Sequence, residues 1–296
     1  MAPSWASYDT WNVGVATLER PLARVEDLLP LPTVRWLPPR PPLFYIADPF
    51  PYRLDGREWL LVEDYGHPKS VRGRISRIDL QNPAGALEPA IVRDRHVSYP
   101  YTFADGGQIY CAPEMNREGG CTLYALDADG GWQVRHHILP GVRLVDPTFF
   151  RVDGLWWLLA TEPPPLHTSV LKAFYAPAID GPWTAHARNP LKRDAATARP
   201  AGRPFAVGDR LYRPAQDCSA TYGGAVHVLS IDTLTPTSFA ETLALRLEPD
   251  PTWPYPDGLH HLVVDGTRVF IDAKRTTVDW LLPLRVRLKP SAHGSG

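Results

Sequence analysis

Short apolar runs, rather than long helical stripes, organise this chain. Five segments share one pattern: a start marked by Pro or Gly, a short apolar strand, a Gly/Asp turn, and a second apolar strand. They read DPFPYRLDGREWLLVED from Asp48, SYPYTFADGGQIYCAPE from Ser98, DPTFFRVDGLWWLLATE from Asp146, AGRPFAVGDRLYRPAQD from Ala201 and GLHHLVVDGTRVFIDAK from Gly258. The dipeptides Asp55-Gly56, Asp105-Gly106, Asp153-Gly154, Gly208-Asp209 and Asp265-Gly266 are reverse-turn signals between strands. Their second members are 50, 48, 55 and 57 residues apart. A period near 50 with two strands per repeat marks the blades of a propeller.

Further strands are predicted after each pair: Arg74–Leu80, Thr122–Leu126, Val170–Ala176, Ala225–Ile231 and Trp280–Leu288, with fourth strands such as Gln133–Leu139 and Glu241–Leu247. The fifth repeat runs out of chain after its third strand. Trp11–Leu18 is therefore expected to supply the missing one and close the ring, which removes an open sheet edge. The expected fold is all-β: a single five-bladed β-propeller of four-stranded blades over residues 1–290, with 291–296 a flexible tail. Two stacked β-sandwiches would also be rich in short strands, but equal spacing and a repeated turn favour the propeller.

Composition narrows the class. The 33 prolines suit short strands and many turns. No run of 18 apolar residues is present, so no membrane span is expected. With 31 basic against 32 acidic residues, whole-chain charge carries no nucleic-acid footprint. Cys111, Cys121 and Cys218 are too few and scattered for a disulfide framework or zinc knuckle. Reduced thiols and no signal-peptide pattern at Met1–Asp9 lead to a cytoplasmic expectation. The sequence leaves the oligomeric state open.

In a propeller the first strand of each blade begins, and the second ends, at the same end of the axis. Counting eight residues back from each second turn residue gives Asp48, Ser98, Asp146, Ala201 and Gly258. Counting eight forward gives Asp64, Glu114, Glu162, Asp217 and Lys274. Six carboxylates are thus expected around one opening, where mutual repulsion raises some pKa values and keeps a general acid protonated. Expected at the same level are Lys69, Arg72, Arg199, Arg203, Arg213, Gln216, Tyr99, Tyr101 and Tyr222. Capped turns, solvated strand ends and ion pairs are the ordinary alternatives for each. Strand alternation should send only one of His260 and His261 inward. No metal spacing is present; no cofactor is required, and an axial calcium or chloride ion is allowed but not demanded.

The motifs Ala47-Asp48-Pro49 and Val145-Asp146-Pro147 resemble those of five-bladed glycosidases, glycoside hydrolase family 43 and its furanosidase relatives. That resemblance implies Asp48 as general base and Asp146 as the group that tunes the acid and orients the sugar. A closer resemblance covers nearly the whole chain: WNVGV, ADPF, Glu63-Asp64, SYPYTF, CAPE, ARPAGRPF, LYRPAQD, YGG and His260-His261 are similar to the propeller in the N-terminal part of plant glucosamine inositolphosphorylceramide transferases, also found alone in bacteria. One departure stands out. Family 43 carries its general acid at the start of blade four, where this chain reads Ala198-Arg199-Pro200-Ala201-Gly202-Arg203-Pro204.

The leading expectation is a carbohydrate-active enzyme of family 43-like type, with Asp48 as base, Asp146 orienting the sugar and Glu114 or Glu162 as proton donor. Asp64, Lys69, Tyr99, Arg199, Arg203, Arg213, Gln216, Asp217, Tyr222, His260 and Lys274 would grip substrate, the cations favouring an anionic group on it. The alternatives are a non-hydrolytic biosynthetic enzyme (proton transfer, cyclisation, elimination or group transfer) and a catalytically inactive glycan-binding propeller.

Overall fold

The computed structural model describes residues 6–66, 73–115 and 117–282. The chain opens with β1 (Ser7–Thr17), a short 3-10 turn at Val25–Leu28, and β2 (Arg35–Trp36). Blade one is β3 (Phe44–Leu54), β4 (Arg57–Gly66), β5 (Arg74–Asp79) and β6 (Glu88–Ile91). Blade two is β7 (Ser98–Asp105), β8 (Gln108–Glu114), β9 (Cys121–Leu126) and β10 (Trp132–Ile138). Blade three is β11 (Val145–Val152), β12 (Leu155–Thr161), β13 (Val170–Ala176) and two short pieces, β14 (Thr184–Ala185) and β15 (Lys192–Arg193), both paired with β13. Blade four is β16 (Phe205–Val207), β17 (Arg210–Asp217), β18 (Ala225–Leu234) and β19 (Phe239–Leu247). Blade five takes β20 (Gly258–Asp265) and β21 (Arg268–Val278), then β1 and β2, in the order β20-β21-β1-β2. The protein is an all-β, five-bladed β-propeller of antiparallel blades.

The closing strand is where the expectation put it, with one revision. β1 pairs with β21 from Ser7↔Val278 to Thr17↔Arg268, so it occupies the third place in the blade and β2 the fourth. The place assigned to Trp280–Leu288 is thereby filled from the other end of the chain. Asp279 and Leu282 instead close a turn, and residues 283–288, like the expected tail, lie outside the described residues.

Each first hairpin has a two-residue loop. Asp55-Gly56, Gly106-Gly107 and Asp153-Gly154 all have positive φ at both positions, the geometry that matches strand twist. In blades two and five the loop starts one residue later than the Asp-Gly dipeptide suggests, at Gly106-Gly107 and Gly266-Thr267. This one-residue offset matters below.

Second strands sit between neighbours on both sides and between blades on both faces, so they read as continuous apolar runs; Trp156 to Thr161 in β12 are all buried. Outer strands alternate with solvent, as in β19. The largest core cluster gathers Val13, Ile46, Phe50, Tyr99, Tyr101, Phe149 and Val263 from four blades, joining the inner strands to the closing strand. At roughly 25 cal/mol per Å² of apolar area, burying aromatics of this size is the main force holding the blades together.

Candidate active site

Three inner strands start the same way. Asp48, Tyr99 and Asp146 each precede a proline, sit at a register shift in β3, β7 and β11, and have φ of 53°, 43° and 51°. A bulge inserts one unpaired residue and re-aims its side chain; a non-glycine residue at positive φ stores strain that persists where the surroundings over-determine it. Tyr99, not Ser98, is thus the blade-two counterpart of Asp48. In β20 the register skips His260 in the same way.

That skip breaks strict alternation, so both adjacent histidines approach Asp48. His260 Nε2 is 3.9 Å and His261 Nδ1 3.4 Å from Asp48 Oδ1. His261 Nε2 also donates to the Pro49 carbonyl at 3.1 Å, and its ring packs edge-on against Phe50. Asp272, wholly buried in β21, accepts from the Asp48 backbone N–H at 2.8 Å and lies 2.6 Å from His260 Nδ1. Burial alone would push the Asp272 carboxyl up, but the His260 imidazolium outweighs it and holds it below the ordinary aspartate range. Burial likewise opposes charge on His260, and Asp272 more than restores it, raising its pKa. The ring of His260 stacks on Trp11 of the closing strand at 3.9 Å.

Asp146 is held differently. Arg199 Nε donates to its Oδ2 at 2.6 Å and Nη2 to its Oδ1 at 3.3 Å, and Gln216 adds a third bond at 3.2 Å. The Asp146 N–H donates to Glu114 Oε2 at 3.3 Å. Glu114 is driven well above the usual carboxylate range by burial and then by Asp146. Glu63 is raised as strongly, by burial first and then by Asp48, Glu114, Asp146 and Asp272. Those neighbours come from blades one, two, three and five, which places five carboxyl groups at one end of the ring. His96 accepts the Gly73 N–H at Nδ1, which puts the proton of the neutral ring on Nε2, 3.6 Å from Glu63 Oε1.

The structure therefore brings together Asp48, Asp146, Glu114, Tyr99, Arg199, Gln216, Tyr222, His260 and Lys274 of the expected residues. Lys274 is tied by Nζ to the Tyr222 carbonyl at 2.8 Å and Asp9 at 3.1 Å, pinning the loop that carries Tyr222. Tyr222 in turn lies under the Arg199 guanidinium. Other expected residues point elsewhere. Asp64 bonds Arg74 and Ser76, Glu162 pairs with Lys172, and Asp217 bonds Ser219 and sits 3.4 Å from Arg246. Arg213 binds Glu241, and Arg203 binds Thr102 and Pro51 nearer the turn end of the inner strands. Lys69 and Arg72 lie outside the described residues.

The cause is one residue of phase. Measured from the true two-residue loops, the inward level is seven residues on: Glu63, Glu114, Thr161, Gln216 and Lys274. Side chains on a strand alternate faces, so counting eight in blades one, three and four selects the wrong neighbour. Glu63 was visible beside Asp64; Asp272 and Trp11 had no signal in the repeat itself.

The group of Asp48, His260 and Asp272 offers ligand atoms within 4.8 Å of one another. Within it His260 Nδ1 is bonded to Asp272 at 2.6 Å, while Nε2 faces Asp48 Oδ1 at 3.9 Å.

A five-bladed propeller with an acidic, buried axial end defines the class of this protein. Residues 40–250 match the family described as glucosamine inositolphosphorylceramide transferase 1, N-terminal, and the chain belongs to that family. It is 32% identical over 209 residues to glucosamine inositolphosphorylceramide transferase 1 of Oryza sativa subsp. japonica, covering 68% of this chain and 28% of that protein. The Arabidopsis thaliana protein of the same name is 31% identical over 214 residues, covering 68% and 27%. The chain thus spans little more than a quarter of the length of these relatives. Among solved structures, an exo-β-1,3-galactanase from Clostridium thermocellum superposes with a TM-score of 0.56 at 12% identity, over 77% of this chain and 58% of that one. A GH43 β-1,3-galactosidase gives 0.54 at 14% identity, over 70% and 46%. At such identities the likeness is one of fold.

Proposed function

We infer that the axial carboxyl cluster is an active site for acid–base chemistry on a sugar-containing substrate. The observation that carries this reading is the pairing of unlike carboxyl groups. Glu63 and Glu114 are pushed well above the usual carboxylate range by burial and by their acidic neighbours, whereas Asp272 is held below it by His260 and Asp146 is clamped by Arg199. Environments that push carboxyl pKa values apart assign the acid and the base. Glu63 serves as proton donor, with Glu114 behind it. Asp48 serves as base, its backbone fixed by Asp272, and Asp146 orients a hydroxyl.

The cations Arg199, His260 and Lys274 are each already paired with a carboxylate. The expected anionic substrate group therefore has less support than a sugar whose hydroxyls or amine donate to carboxylates. The relatives' name, which includes glucosamine, agrees with an amino sugar.

Group transfer is favoured over hydrolysis by one feature: the start of blade four offers Arg199 in place of an acid, and Arg199 is bound to Asp146. The relatives are named as transferases, in keeping with that preference.

Calorimetric titration with glucosamine, N-acetylglucosamine and glucose tests the reading. Glucosamine is expected to bind tightest, with affinity falling at least tenfold in Asp48→Asn. Equal binding of all three sugars, or binding that survives both Asp48→Asn and Glu63→Gln, would remove the cluster from the site. Incubation with nitrophenyl glycosides separates the reactions: steady nitrophenol release in buffer alone supports hydrolysis, and release that depends on an added acceptor alcohol supports transfer.

A further inference from the structure

The inner strands carry a second set of side chains at their other ends. Along β3 the chain passes from Asp48 toward Arg53, and along β11 from Asp146 toward Arg151, so the turn ends of the strands surround the opposite mouth of the axis. A cavity of about 430 Å³ lies there, within the ordinary range for a small-molecule site. Phe50, Tyr99, Tyr101 and His261, all fully or almost fully buried, fill the axis between it and the carboxyl cluster.

Two properties of this cavity go together. Its wall is apolar: it is lined by the edges of packed aromatic rings, Phe103 lying stacked between Phe149 at 5.2 Å and Tyr110 at 5.3 Å. Its charge is positive, since Arg53, Arg151 and Arg203 line it with Asp265 as the one carboxylate. Arg53 is shared between Glu58 and Asp265. Arg151 is exposed and makes no ion pair among the described residues.

Arg203 is the decisive residue. Its guanidinium is half-buried between blades, and its Nε and Nη2 donate to the Thr102 carbonyl and hydroxyl and the Pro51 carbonyl. Among the described residues no carboxylate meets it, and Nη1 has no partner. A half-buried cation whose hydrogen bonds all go to neutral acceptors leaves its charge uncompensated, and an anion entering the cavity would neutralise it.

We propose that this second mouth is a binding site for a small organic anion, its apolar body against the aromatic rim and its carboxylate or sulfonate on Arg203 and Arg151. The site is independent of the carboxyl cluster.

Calorimetry on the full chain with naphthalene-1-sulfonate, and with neutral naphthalene-1-methanol as comparison, tests it. The sulfonate is expected to bind one site at least tenfold more tightly than the alcohol. Arg203→Met should weaken the sulfonate at least tenfold and Arg151→Met severalfold, while Asp48→Asn leaves it unchanged. Because Arg203 also joins blades, Arg151→Met at the exposed rim carries the test if Arg203→Met does not fold. No binding by the native chain, equal binding of sulfonate and alcohol, or unchanged affinity in Arg151→Met overturns the proposal.

Discussion

His260 Nδ1 lies 2.6 Å from Asp272 Oδ1, an ion pair between neighbouring strands that is shielded from solvent on every side. The pair fixes the backbone N–H of Asp48 through the other Asp272 oxygen, 2.8 Å away. One contact therefore joins the last blade to the first at the base of the proposed site.

This pair sets a pH window. The His260 pKa is raised in the folded protein, so its contribution is fully present below the unfolded histidine value of about 6.5 and is lost as pH rises through the folded value. The Asp272 pKa is depressed, so its contribution is present above the unfolded value of about 3.9 and is lost as pH falls through the folded one. Proton NMR titration should find His260 still charged above pH 6.5. In Asp272→Asn burial then dominates, and the same resonance should titrate below 6.5. A His260 midpoint unmoved by Asp272→Asn would dissociate the two residues.

Glu63 has the opposite sign. A carboxyl whose folded pKa is raised binds its proton more tightly when folded, so stability falls as pH rises from the unfolded value of about 4.3 toward the folded one. Glu63→Gln copies the protonated form and removes that decline. Urea melts should show the variant equal to the native protein near pH 4 and more stable at pH 8, with turnover or sugar binding reduced. A variant less stable at pH 8 would mean that Glu63 is ionised and paired in the native state.

The salt bridge between Arg199 and Asp146 is buried on both sides, with side-chain exposures of 9% and 3%. Removing one partner of such a pair leaves a desolvated charge, which costs about 3–5 kcal/mol. Arg199→Met is expected in that range. Adding Asp146→Asn to it should recover part of the loss, since neither charge then remains alone. Additive losses in the double-mutant cycle would show that the two residues act separately.

The architecture was legible because a propeller repeats its hairpins, and a turn dipeptide survives even where strand residues vary. The N-terminal strand was legible for a related reason: the last repeat lacked an edge. Side-chain direction was harder to read. Asp64 and Glu63 differ by one place in the sequence but by opposite faces in β4, and a loop that starts at Gly106 rather than Asp105 shifts the phase between blades. His260 and His261 both reach Asp48 because a bulge suspends alternation, and no residue type announces a bulge. Asp272 and Trp11 enter the site from strand interiors in blade five, the one blade assembled from both ends of the chain. Their roles depend on closure, which a count within each repeat does not contain.

The start of blade four is packed through backbone. Gly202 has φ of 128°, and a Cβ there would stand 2.1 Å from the Leu262 carbonyl oxygen. Its N–H donates to the Tyr99 hydroxyl at 3.0 Å, while the adjacent Ala201 carbonyl accepts from Leu262 N–H at 2.7 Å. Blade four thus approaches blades two and five by backbone, in space that a longer side chain elsewhere would occupy. Gly202→Ala should therefore be severe, on the order of 2–4 kcal/mol, because backbone rather than a flexible side chain must move. Gly154→Asn is the control: its φ of 81° is also positive, but nothing lies within 4 Å of the added carbon. Asn tolerates such a conformation, so a cost of about 1 kcal/mol or less is expected there. Urea denaturation of the two variants side by side separates close approach from positive φ. Similar losses in both would assign the requirement at Gly202 to backbone conformation alone, and an acidic residue grafted beside it would then have room.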